Sequence, residues 1–206
     1  MKRIHIIEAS VALGLVVSIL TSVIGFGMEC KDIRNNIVRL HILANSDSQN
    51  DQEVKLVVRD VLLDCGKELF SGNADINSVK RIFEEEKDEL TEIANKTLSE
   101  KGFEYSAEIY LVNEYFSTRS YDGFTLPAGN YPALKVVLGE GKGHNWWCVM
   151  FPPLCLPAAG AKEEIDDVFG ESGTDIIKNY PKYEMKFKVI EIYECIKNKF
   201  KGINIS

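Results

Sequence analysis

Directly behind Lys2 and Arg3 runs one apolar stretch, IHIIEASVALGLVVSILTSVIGF from Ile4 to Phe26, and everything after it is ordinary charged globular sequence. A basic start followed by a single apolar run feeds a chain into a membrane and delivers the rest to the far side. The compartment is therefore constrained before any fold is considered. From Val11 to Phe26 only Ser18, Thr21 and Ser22 are polar, and Glu8 sits near the cytoplasmic end, where it can snorkel or be protonated. The length is at the lower edge of the roughly 20 residues that a spanning helix needs. Two outcomes stay open. Residues 1–27 are either a signal peptide, with Gly25 and Gly27 as a weak small-x-small cleavage site before Met28, or a retained membrane anchor through residues 4–27. Cys30 is a poor lipidation site, because Glu29 stands where a small residue is needed.

About 180 residues follow, enough for one exported domain, 28–206, with a real core. The chain has 24 basic and 31 acidic residues; Lys2, Arg3 and Glu8 fall in the first 27, leaving 22 and 30 and a net charge of −8. An acidic domain without a basic cluster argues against nucleic acid and against tight binding to anionic lipid. Cys30, Cys65, Cys148, Cys155 and Cys195 all lie beyond the segment, and an odd number leaves at least one unpaired or paired between chains.

Hydrophobic periodicity gives the fold class. Val38, Leu40, Ile42 and Ala44 share one face of a strand, with Arg39, His41 and Asn45 on the other, so a half-buried strand is expected over 37–44. Asn45-Ser46-Asp47-Ser48 breaks it, and Ser48-x-x-Asp51 resembles a capping box opening a helix. Val54, Val57, Val58, Val61, Leu62, Cys65 and Leu69 carry that helix to Phe70. A second helix is expected from Ile76 to Lys101, striped by Val79, Ile82, Phe83, Leu90, Ile93, Ala94 and Leu98 and capped by Gly102. Strands are expected over 105–112, 131–138 and 145–151, and a C-terminal helix over 187–200. The order β-α-α-β-β-β-α points to an α+β domain, a mainly antiparallel sheet packed by two central helices and a C-terminal helix.

Catalytic constellations are thin. The glycine-rich run 139–143 lacks the Lys-Ser/Thr pair and following helix of a phosphate loop, and reads as a hairpin connection. His144 and Cys148 point to the same face of a strand but stand about 13 Å apart at ~3.3 Å per residue, too far for direct proton transfer. No cofactor is implied, and no metal: Cys148 and Cys155 are spaced wider than a zinc knuckle, and Glu84-Glu85-Glu86 reads as a solvated helix face. Cys148 and Cys155 instead flank a Pro152-Pro153 pair that redirects the chain. That favours a disulfide worth about 2.5 kcal/mol in the chain-entropy picture, against two reduced buried thiols. Trp146 and Trp147 are adjacent on a strand and face opposite sides, so one is expected inward, the other outward beside the Pro-Pro turn as a protein-binding aromatic. Both rings covered by neighbouring segments is the competing reading.

These residues also carry a resemblance. Arg39-Leu40-His41-Ile42-Leu43-Ala44-Asn45-Ser46-Asp47 is similar to the RLHVLANSD strand and turn of the stage II sporulation protein R family of endospore-forming bacteria. The likeness continues in Lys55-x-x-Val58-Arg59-Asp60, in Leu126-Pro127-Ala128-Gly129-x-Tyr131, and in the block from Gly141 through Asn145-Trp146-Trp147-Cys148-Val149-Met150-Phe151-Pro152-Pro153-Leu154-Cys155. It spans about residues 1–157 in order and spacing, with Met150 where Leu is expected; beyond Ala158 no motif matches. The resemblance implies signalling rather than catalysis. Such a protein is made in the forespore and exported into the space between the two membranes. There it activates a membrane-embedded aspartic protease of the mother cell, which removes the pro-sequence of sigma-E. The expected contact residues are Asn45, Ser46 and Asp47 at one turn and Asn145, Trp146, Trp147, Phe151, Pro152 and Pro153 in the second block. Two other classes stay open: a cell-envelope hydrolase using His144 and Cys148, and a passive domain that binds envelope polymer through its aromatics.

Overall fold

The computed structural model describes residues 2–70, 76–121, 123–152 and 161–203. Among the described residues, five helices and six strands follow one another as α1 (Lys2–Asn35), β1 (Val38–Leu43), α2 (Gln49–Phe70), α3 (Ile76–Glu100), β2 (Ala107–Phe116), β3 (Arg119–Tyr121), β4 (Phe124–Leu126), β5 (Gly129–Leu138), β6 (Asn145–Phe151), α4 (Ala161–Lys178) and α5 (Tyr180–Ile203). The chain divides into two compact units. The larger is Arg34–Phe116 with Asn130–Glu171; the other is Met1–Ile33, Ser117–Gly129 and Ser172–Ser206. The boundary expected after Gly27 falls inside α1, which runs unbroken through it.

The larger unit is α+β. Its four strands lie in the order β2-β5-β1-β6, and the sheet is mixed: β1 runs parallel to β5 with Leu40 opposite Leu134, and antiparallel to β6 with Leu40 opposite Cys148. A parallel pair needs a long crossover, and everything from α2 to β4 supplies it. One sheet face meets both helices. Val38, Leu40 and Ile42, Leu134, Val136 and Leu138, Cys148 and Met150, and Ala107 and Ile109 pack with Val54, Val58 and Leu62 of α2 and Phe83, Leu90, Ala94 and Leu98 of α3. Of the helix stripes expected from the sequence, Val54, Val58, Leu62, Val79, Phe83, Leu90, Ala94 and Leu98 are buried, while Val57, Val61, Cys65, Leu69, Ile82 and Ile93 are half-buried.

Local chemistry sets the element ends. The Ser48 hydroxyl accepts from the Asp51 backbone N–H at 3.2 Å, capping α2. At the end of α3, Gly102 takes φ 82°, the Phe103 N–H reaches the Leu98 carbonyl at 3.0 Å and the Gly102 N–H reaches Ser99 at 3.0 Å. That pattern is a Schellman cap, which a left-handed glycine permits at little cost. Asn95 on α3 then accepts from the Ala107 N–H at 2.7 Å, fixing where β2 begins.

Two features depart from the sequence reading. The strand expected to be half-buried is buried on both faces: Arg39 is 0% exposed and His41 3%. It lies second from the edge of the sheet, and aromatic rings cover its polar face. Beyond 160, two helices stand where one was expected, with α4 interrupted at Gly170 (φ 62°, ψ −179°). Asp175 organises the corner into α5, accepting from Asn179 Nδ2 at 2.7 Å, from Lys182 Nζ at 2.9 Å and from the Tyr183 hydroxyl. Hydrogen bonds from Tyr183, Lys182 and Asn179 hold the Asp175 carboxyl at a pKa of about 2.

Candidate functional site

The turn after β1 and the loop between β5 and β6 are built as one piece. The Asn45 carbonyl accepts from the Lys142 N–H at 3.2 Å, and the Ala44 carbonyl from Gly143 at 2.9 Å. The Asn45 side-chain oxygen accepts from the Glu140 N–H at 2.9 Å. Two glycines allow this approach. A Cβ at Gly143 would stand 2.2 Å from the Ser46 carbonyl oxygen, and one at Gly139 would stand 2.3 Å from Asn45 Oδ1. Glycine is required there by space, not by phosphate chemistry.

Asp51 is the buried centre of this junction, at 5% exposure. Its carboxylate accepts from Asn45 Nδ2 at 3.0 Å, Ser46 Oγ at 2.5 Å and the Tyr105 hydroxyl at 2.6 Å. Burial alone would raise its pKa, but hydrogen bonds from Ser46, Tyr105, Asn45 and Ser48 outweigh it and hold the carboxyl below its usual value. Lys55, also buried, reaches from α2 to the His144 carbonyl at 2.9 Å; burial lowers its pKa, with Arg59 adding to the effect and Asp47 opposing it. Outside this core of bonds, Asp47 accepts from the His144 N–H at 2.6 Å and pairs with its imidazole Nδ1. Both side chains are open to solvent, 57% exposed for Asp47 and 77% for His144.

The structure therefore brings the two expected segments together, but only at one end. Asp47, His144 and Asn145 are exposed and adjacent, while Asn45 and Ser46 are half-buried and engaged internally. Phe151 and Pro152 are buried at the other end of β6, where Phe151 sits opposite Val38. Pro153 and Cys155 lie outside the described residues.

The tryptophans do not divide into one inward and one outward ring. Both are half-buried, on opposite sheet faces. Trp146 packs against the helix-covered core beneath the Arg59 guanidinium, 4.5 Å from the ring centroid, and Asp60 holds that arginine through Nε at 2.7 Å. Trp147 stacks on His41 with centroids 3.6 Å apart and meets Phe116 edge-on at 5.0 Å. His41 in turn bonds Glu114 at 2.8 Å, which pairs with Lys135 at 3.3 Å. We expect Trp146→Ala and Trp147→Ala each to cost about 2 kcal/mol, less than a fully buried tryptophan, as read by urea denaturation. A near-neutral result for either ring would place it outside the packing described.

Arg39 was missed as a structural residue. Its Nε donates to the Cys148 carbonyl at 3.0 Å, and its guanidinium lies 4.3 Å from the Phe116 centroid and 5.1 Å from that of Tyr131. The signal available in sequence was the aromatic set on the same face of neighbouring strands, legible only once strand order is known.

The hydrolase reading loses its nucleophile here. Cys148 is buried and disulfide-bonded, and a sulfur held in a disulfide offers no thiolate. Cys65 and Cys195 are free thiols, and burial raises the Cys65 pKa, with Glu68 and Asp64 adding to it. Among the described residues no group of three His, Cys, Asp or Glu side chains is arranged to hold a metal ion.

Residues 34–160 match the family model described as stage II sporulation protein R. Over 127 residues the chain is 39% identical to Stage II sporulation protein R of Bacillus subtilis (strain 168), a stretch covering 60% of this chain and 55% of that protein. The chain thus spans about half the length of the curated relative it matches. No solved structure matches. The matched region starts after most of α1, whereas the motif likeness predicts a match from about residue 1.

Proposed function

The chain belongs to the stage II sporulation protein R family, and from that premise we propose that it is an intercellular sporulation signal. It is exported from the forespore and activates, by binding, the membrane-embedded aspartic protease of the mother cell that processes pro-sigma-E. The observation that carries this reading is where the family-like motifs converge. The Asn45–Asp47 turn and the start of the Asn145 block meet in one braced, solvent-facing junction at an end of the sheet. Polar groups held at turns by a rigid scaffold suit recognition, since they are presented without weakening the core. The apolar helix α1 fits export, being the described helix long and apolar enough to cross a membrane.

Co-expression with the candidate protease and its sigma-factor precursor in a non-sporulating host, scoring precursor cleavage, tests the proposal. Asp47→Ala is expected to cost less than about 1 kcal/mol of stability, because exposed ion pairs contribute little, and to reduce cleavage severalfold. His144→Ala should do the same. If both variants stay folded and cleave at the full rate, the contact surface lies elsewhere, first on the acidic face of α3. No cleavage with the unaltered chain would remove the activator reading itself.

A further inference from the structure

Along α1 the exposure changes abruptly. Ile4, Leu13, Leu20 and Ile24 are 59%, 65%, 55% and 61% exposed, whereas Phe26, Cys30 and Ile33 are 5%, 0% and 2%. The last three recur at helical spacing, one stripe along the final turns. The Phe26 ring stacks on Tyr183 with centroids 5.6 Å apart and meets Phe187 edge-on at 5.4 Å. A Cβ at Gly27 would come within 3.4 Å of Ile190 Cδ1, ordinary van der Waals contact. Tyr183, Phe187 and Ile190 form the matching stripe of α5.

We propose that the N-terminal segment is not removed: α1 is a single-pass anchor in a lipid bilayer, clamped at its outer end by α5. Cleavage after Gly27 requires a protease to engage residues 25–28 as locally opened chain. Those residues are helical, and the cut would withdraw Phe26 from between Tyr183 and Phe187. The exposed portion has the dimension of a membrane. At 1.5 Å per residue, Ile4 to Ile24 rises roughly 30 Å, the thickness of a hydrocarbon core. Its ends carry the groups that bilayer interfaces select. Lys2 and Arg3 stand at the start; at the other end Lys186 Nζ lies 5.5 Å from the Phe26 centroid and Lys182 Nζ 4.9 Å from that of Tyr183. Asp175, through Lys182 and Tyr183, ties this collar to the corner between α4 and α5.

The inference rests on how α1 packs against α5 and not on protease activation, so the two fail separately. The full chain with a C-terminal tag is expressed in an export-competent bacterial host, and carbonate-washed membranes and soluble fractions are analysed by intact mass. A triple variant, Gly25→Ala, Phe26→Gln and Gly27→Ala, supplies a stronger cleavage site without the aromatic clamp and gives the processed standard. The unaltered chain is expected in the membrane fraction with residues 1–27 attached. A mature N-terminus at Met28 overturns the proposal, and so does a full-length chain that carbonate releases. Limited trypsinolysis tests the clamp itself: Phe26→Ala should raise cleavage at Lys182, Lys186 and Lys188 severalfold, and an unchanged rate overturns it.

Discussion

Arg39→Ala is expected to cost about 3–4 kcal/mol of unfolding free energy, while Arg39→Met costs about 1 kcal/mol. The side chain is wholly buried, so truncation leaves a cavity between Phe116 and Tyr131 and strands the Cys148 carbonyl that Nε now satisfies. Methionine has similar length and a polarizable sulfur that suits aromatic neighbours. It refills the space without a buried charge but loses the hydrogen bond to the Cys148 carbonyl. Urea denaturation of residues 28–206 separates the two effects, since Arg39, Phe116, Tyr131 and Cys148 all lie within that stretch. If the methionine variant is as unstable as the alanine variant, the guanidinium charge is required and packing is secondary.

Asp51→Ala is the second large effect, about 3 kcal/mol at neutral pH. It leaves the Ser46 hydroxyl, the Asn45 amide and the Tyr105 hydroxyl without their acceptor in a buried junction. Asp51→Asn keeps the size and half the accepting capacity, and should cost about 1–2 kcal/mol. The pH dependence has a fixed sign. The folded-state pKa lies below the ordinary 3.8, so the carboxylate's contribution is fully present above the unfolded-state value. It is lost as pH falls through the folded-state value. The gap between the wild-type chain and Asp51→Asn should therefore be constant from about pH 5 to 8 and narrow below about pH 4. Tyr105 does not interfere, since burial and its bond to Asp51 raise its pKa. A gap that instead widens in acid would contradict the assigned direction.

Sequence periodicity located α2, α3 and the helix-facing side of β1, and the approximate positions of β2, β5 and β6, because such elements bury one face and alternate accordingly. It failed where burial is two-sided. Arg39 and His41 read as the open side of β1, yet Phe116, Tyr131 and Trp147 from other strands cover them. Strand order, which periodicity does not encode, decides that. The parallel pairing of β1 with β5 escaped for the same reason. At the candidate site, Asn45, Ser46 and Asp47 were found as a turn by composition and as a motif by likeness. Their internal engagement with Asp51 and the 139–144 loop depends on contacts some 95 residues away in the chain. Lys55 and Arg59 belong to a recognisable motif, but their partners, the His144 carbonyl and the Trp146 ring, are set by the tertiary fold.

The Asp47–His144 pair joins segments 97 positions apart, and it exists only after β6 has zipped along β1. A receptor that reads both residues together is therefore reading the completion of folding. A nascent, truncated or misassembled chain in the same compartment carries the same side chains but never presents them side by side. On the proposed function, a message read from this pair would be all-or-none.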